Sequence, residues 1–143
     1  MSELIPSDSD FEGRVRESFA RQGVMRLFGA RIERVAPGAV DIVLPYREDL
    51  TQQDGYVHAG VITAVADSAC GYAAHTLMPA GSGVLSVEFK VNLLRPAEGQ
   101  EFAAEARVVK AGRTLTVTRC DVYARSEGDA KLVATMLATM IRR

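Results

Sequence analysis

The stretch HAGVITAVADSACGYAAHTLM, residues 58–78, decides the fold. Small or apolar residues take nearly every side of it: Val61, Ile62, Ala64, Val65, Ala66, Ala69, Ala73 and Ala74. The segment is long enough for a helix of about five turns, and a helix without a polar face is expected to be buried all round. Gly55, Gly60 and Gly71 thin it, and Pro79-Ala80-Gly81 stops it. The apolar run falls short of the roughly 20 residues of a membrane span and carries Asp67.

Beyond this helix the apolar period changes from 3.6 to 2. Val87, Phe89, Val91 and Leu93 alternate against Ser86, Glu88, Lys90 and Asn92, and Phe102, Ala104, Ala106 and Val108 continue the pattern. Ala111-Gly112-Arg113 and Ser126-Glu127-Gly128-Asp129 are turns, framing strands from Leu115 to Ala124 and from Lys131 to Ile141. Upstream, residues 31–35 and 40–44 read as two strands around the Pro37-Gly38 turn. Ser9-Asp10-Phe11-Glu12 opens an amphipathic helix that uses Phe11, Val15, Phe19 and Val24. Short loops between long strands favour an antiparallel meander. The expected class is α+β: an antiparallel sheet of five or six strands curled around one long buried helix. A helical segment over residues 1–28 precedes the core of a single domain spanning residues 1–143.

Composition removes several functions. The 17 Lys+Arg nearly balance 18 Asp+Glu, giving a net charge of −1 and no broad basic surface for nucleic acid. Trp is absent and aromatics are few, so single strands find no stacking platform. Nothing at the start resembles an export signal, and Cys70 and Cys120 lie far apart without CxxC spacing. A reducing cytoplasm with free thiols is the expected setting. His58, His75 and the two cysteines show no metal-ligand spacing. No metal or other cofactor is implied, and neither is a membrane.

Asp67, between Ala66 and Ser68, requires an explanation, because an unpaired buried carboxylate costs several kcal/mol. Its helical neighbours Thr63, Cys70 and Gly71 are small and leave a slot beside it. A poorly solvated carboxylate in such a slot is a strong base or nucleophile. The alternative is a structural Asp held by a backbone amide or by an Arg across the core. His58 stands just ahead of the helix, where first-turn amides lack partners and the dipole favours a developing oxyanion. It is either a catalytic group or a plain N-terminal histidine. From Ala59 to Asp67 is roughly 12 Å along the axis. One helix therefore cannot bring both to one carbonyl, and a shared site needs two chains related by a two-fold axis.

Other groups carry less. Cys70 and His75 diverge by about 140° round the helix and are no nucleophile–base pair. Ser68 and His75 share a face but stand about 10 Å apart along it. Ala80-Gly81-Ser82-Gly83 follows a helix instead of opening one, unlike a phosphate loop.

The pattern Gly55-x-x-His58-Ala59-Gly60, then Asp67, Ser86-Val87-Glu88-Phe89, Leu94-Arg95-Pro96 and Gly112-Arg113-Thr114, resembles the PaaI-type acyl-CoA thioesterases of the hotdog fold. The resemblance runs from about Gly29 to Ile141. It implies that Asp67 attacks the thioester or activates water. It implies further that the Ala59 amide holds the thioester oxygen, that His58 orients the site near the sulfur, and that Gln52 and Ser86 assist. It also implies a homodimer with composite sites, often paired into a tetramer. Two departures stand out: His-Ala-Gly replaces His-Gly-Gly, and Gln52 stands where Asn is usual.

The substrate-side candidates are Gly60 and Gly71 on the helix, with Arg95, Arg113 and Lys110 for the phosphates of coenzyme A, which enters only as part of the substrate. Two other readings remain on the same fold: a non-catalytic acyl-CoA-binding module, and an enoyl-CoA hydratase or dehydratase using His58 with a partner's Asp67.

Overall fold

The central stretch forms the helix that its composition demands. In a computed structural model of the protein, which describes residues 4–143, α3 runs over Ala59–His75. Before it come α1 (Phe11–Arg21), α2 (Gly23–Phe28), β1 (Arg31–Ala36) and β2 (Ala39–Pro45). After it come β3 (Val84–Leu93), β4 (Glu101–Ala111), β5 (Leu115–Ser126) and β6 (Asp129–Arg142). All six strands make one antiparallel sheet in the order β1-β2-β4-β5-β6-β3. The sheet wraps α3 as in the hotdog fold. Among the described residues no helix is long and apolar enough to cross a membrane.

Small side chains make the close wrap geometrically feasible. Ala104, Ala106 and Ala138 on the sheet and Ala66, Ala69 and Ala73 on α3 are all fully buried. Removing bulk on both sides lets the helix axis settle near the strands while packing density stays high. Cys70 and Cys120 are buried, free thiols in the same core. They lie close enough that the Cys70 side chain, together with burial, pushes the Cys120 thiol well up.

Four expectations need correction. The meander holds only for β4-β5-β6, because β3 crosses to the far edge and pairs with β6. The N-terminal helix does not run on to Val24. It breaks at Gln22, which takes an extended conformation, and α2 restarts at Gly23. The restart turns Met25 into the core and leaves Val24 about half exposed at 47%.

The third correction concerns α3 itself. Its buried side holds Ile62, Val65, Ala66, Ala69 and Ala73, but Ala64, Asp67, Ser68 and Gly71 are half-buried and Gly60 is exposed. These positions make a stripe of small residues along one face. Within one chain, then, the helix is not covered all round. Beside it, β3 is an exposed edge along nearly its whole length. Leu85, Val87, Phe89 and Leu93 are all exposed there.

The fourth correction is a β-bulge. Ser86 pairs with Met140, but Glu88 pairs with Thr139, so Val87 is an extra residue between them. One inserted residue reverses the side-chain alternation on either side of it. Ser86 therefore shares the inner face with Phe89, where strict alternation sets them on opposite faces. Met25→Ala should lower unfolding free energy by about 2–5 kcal/mol, whereas Val24→Ala should change it by less than about 0.5 kcal/mol. Urea titrations of the two variants check this, and equal losses would contradict the described helix break.

Candidate active site

Two groups of side chains form at two positions along α3. At its N-terminus His58 is the N-cap, in an extended conformation. Its Nδ1 accepts the Gly60 N–H at 2.8 Å. The Val61 and Ile62 N–H groups both donate to the His58 carbonyl, at 3.0 and 3.2 Å. Among the described residues the Ala59 N–H donates to nothing, so it is the unspent amide of the first turn. Since Nδ1 is occupied as an acceptor, a neutral His58 ring carries its proton on the exposed Nε2. Gly60 suits this cap, because a Cβ there would lie 3.0 Å from His58 Nδ1 and press on the ring.

The loop ahead of α3 is pinned by His58 N–H to the Leu50 carbonyl and Val57 N–H to the Ala97 carbonyl. Within it Gln52 folds its Oε1 back to accept the Asp54 and Tyr56 N–H groups, at 2.6 and 3.2 Å. That commits the oxygen and leaves Nε2 as a donor. Gln52 and Ala59 line one cleft of about 450 Å³, together with Arg95 and apolar groups such as Ile62 and Leu93. Arg95 also lines the adjoining groove, where Lys131 stands. Neither Lys110 nor Arg113 lines the cleft: Lys110 is exposed near the end of β4, and Arg113 lies by the C-terminal end of α3 with Arg142.

The second group centres on Asp67, two turns further along. The carboxylate is half-buried instead of sealed in the core, and Ser86 Oγ donates to its Oδ1 at 2.6 Å. The β3 bulge makes this contact available by bringing Ser86 to the inner face. Asp67, Ser86 and Gly71 line a cavity of about 650 Å³. A Cβ at Gly71 would meet nothing within 4 Å, so this glycine keeps the cavity open without being sterically required.

These two cavities share no lining residue. The structure brings Asp67 together with Ser86 and Gly71, and Gln52 together with Ala59 and Arg95. Within one chain it does not bring the pairs to each other.

The Asp67 cavity also holds Arg14, Ser18 and Gln22, which the sequence did not single out. Gln22, exposed by the break between α1 and α2, reaches α3: Ser68 Oγ donates to its Oε1 at 2.9 Å, and its Nε2 donates to Tyr72 Oη at 3.1 Å. Ser18 Oγ lies 3.3 Å from the same Tyr72 oxygen. At the far end His75 Nε2 bonds the Ser82 carbonyl at 2.9 Å. Arg14 donates to Asp8 and to the His75 and Met78 carbonyls.

Comparison with known proteins bears on the family and the fold. The family model described as the thioesterase superfamily matches residues 54–131. The chain is 30% identical over 100 residues to human acyl-coenzyme A thioesterase 13, covering 69% of each protein. It is similar to the crystal structure of a thioesterase family protein from Silicibacter pomeroyi, with 53% identity and a TM-score of 0.91, over 92% of this chain and 97% of that one. The PaaI protein of Escherichia coli shares the fold at 17% identity and a TM-score of 0.86, over 96% of each chain.

His75 supplies a pH signature of the cavity wall. Burial, with a lesser push from Arg14, holds its pKa below the ordinary histidine value, against the pull of the Ser82 carbonyl. The unfolded chain then takes up the proton first, so stability is lost as pH falls below about 6.5. Unfolding midpoints in urea should drop between about pH 7.5 and 5.5, and His75→Asn should reduce that drop. An unchanged pH slope in the variant would contradict the assignment.

Proposed function

We propose that this chain, which belongs to the thioesterase superfamily, hydrolyses an acyl-CoA thioester to the free acid and coenzyme A in a site built from two copies of itself. One observation carries the reading: the unspent Ala59 N–H and the Asp67 carboxylate open into separate cavities, about 12 Å apart along one helix. A two-fold axis crossing α3 near Thr63, four residues from each, sets Ala59 of one copy against the partner's Asp67. The half-exposed stripe of α3 and the apolar edge of β3 supply the surface that such pairing would cover. An unpaired apolar edge strand of this length is otherwise a template for aggregation.

In that composite site the Ala59 N–H and Gln52 Nε2 are two donors for the oxygen of the thioester as it takes up negative charge. Asp67 acts from the other side, by attacking the carbonyl carbon to form a mixed anhydride that water then hydrolyses, or by taking a proton from a water that attacks directly. Ser86 holds one carboxylate oxygen and so fixes which lone pair faces the reacting carbon. The C–S bond breaks with coenzyme A leaving as its thiolate, near the exposed Nε2–H of His58. Replacement of Gly by Ala at position 59 is harmless to this scheme, because only the backbone amide is used. Arg95, with Lys131 in the adjoining groove, suits the phosphates of coenzyme A.

Asp67→Asn should lower kcat by at least about a hundredfold with the fold retained, and Ala59→Pro should do the same. Proline is accommodated at the first helical position and deletes only the N–H, and His58 already has the extended conformation required before proline. Gln52→Ala should cost less. Release of free thiol from an acyl-CoA panel measures all three, and wild-type turnover in Asp67→Asn would sink the mechanism. Separately, Phe89→Lys on the β3 edge should yield a monomer without turnover by light scattering and thiol assay. A monomeric variant that turns over normally would exclude a shared site.

A further inference from the structure

β3 closes one edge of the sheet, and its outer face carries two charges that find no counter-charge in the chain. Beyond the bulge, Phe89 and Val91 lie beside the buried Ala138 and Met136 of β6 and take the inner face. Glu88 and Lys90 alternate with them on the outer face, beside Thr139 and Leu137. Thr139 Oγ1 donates to Glu88 Oε1 at 2.6 Å and holds that carboxylate against the strand. Both charged residues are exposed. Among the described residues neither forms an ion pair. Two positions apart on one strand, they stand roughly 7 Å from each other and do not pair.

The ways in which two such edges can meet are few. A two-fold axis sets the two β3 strands antiparallel, and residues directly opposite then lie on the same face. The axis therefore passes through a residue, because an axis between residues would set an inner side chain against an outer one. Position along the strand narrows the choice. Ser86 touches Asp67, and Leu93 lines the cleft that holds Ala59. An axis near Thr63, midway between Ala59 and Asp67, thus reaches β3 at Phe89 or Lys90. Through Lys90 it would set that lysine against its own copy, and like charges directly opposite are destabilising. Through Phe89 it sets each Glu88 opposite the partner's Lys90.

Resting on the two-copy thioesterase site, we propose that Glu88 and Lys90 are positioning residues, whose crossed ion pairs on either side of Phe89 fix the register in which two β3 strands join. The apolar side chains of the edge attract but do not select, since Phe89, Val91 and Leu93 suit one another at several offsets. The two charges penalise the wrong offsets. Register matters to the chemistry because moving the axis by one residue slides the partner by two, about 6.6 Å. Such a slide carries the partner's Ala59 amide away from Asp67.

Two experiments test this. Glu88→Cys, Phe89→Cys, Lys90→Cys and Val91→Cys are each oxidised with diamide, against a background kept low by the burial of Cys70 and Cys120. Phe89→Cys should cross-link fastest, because in this register the Cα atoms at the other three positions lie about 8 Å or more from their copies, beyond disulfide reach. Next, Glu88→Lys and Lys90→Glu should each raise the dimer dissociation constant at least about tenfold, since each creates two like-charge pairs across the axis. Mixed together, the two variants should form a heterodimer about as tight as the wild-type dimer, counted by native mass spectrometry, because every Glu then faces a Lys. Faster cross-linking at another position, or mixed dimers no tighter than those of the single variants, would overturn the inference. So would a wild type that stays monomeric. Wild-type dimers that show the Phe89 register but release no thiol from any acyl-CoA would instead defeat the thioesterase reading and leave the register standing.

Discussion

The rigidity of one helix governs everything else in this molecule. A straight α-helix fixes Ala59 and Asp67 about 12 Å apart, and no side-chain rotation closes that gap. In the proposed mechanism the unspent amide and the carboxylate are the two groups that act on the thioester, one at the oxygen and one at the carbon. Under the proposed mechanism one chain alone holds only half of each site. The small-residue stripe on α3 and the open β3 edge are the surfaces that the proposed pairing with a second copy would cover.

A second constraint acts through the backbone of β3. The bulge at Val87 lets Ser86 turn inward while Phe89, Val91 and Leu93 keep the inner face further along. Without it, the alternation that aims Phe89 at the core would aim Ser86 outward, away from the carboxylate it touches at 2.6 Å. The Asp67–Ser86 contact thus depends on an irregularity, which is where sheets commonly re-aim a functional side chain.

The central helix and the strand segments were legible because their signals are local: apolar periodicity, proline and glycine stops, and turn residues. The separation of Ala59 from Asp67 was equally legible, since helical rise needs no coordinates. What escaped was set by tertiary choices. A bulge leaves no mark in an alternating pattern, so Ser86 falls on the wrong face by counting. The position of β3 beside β6 depends on where α3 ends in space. Val24 and Met25 are both plausible anchors until the break at Gln22 decides between them. The Asp67 slot reads as sealed from the sequence because composition does not show which sides of α3 the chain's own sheet covers. Gln22 and Arg14 were invisible as site residues, because their meeting with α3 depends on how α1 lies across it.

The shared site can be tested by mixing two inactive chains. Refolding Asp67→Asn together with Ala59→Pro, each without turnover alone, produces mixed dimers in which one site draws an intact Asp67 from one chain and an intact Ala59 amide from the other. With random pairing about half of the dimers are mixed, each with one working site, so the mixture should recover about a quarter of wild-type activity per chain. No recovery, with mixed dimers shown to form by mass spectrometry, would contradict a site built from two copies.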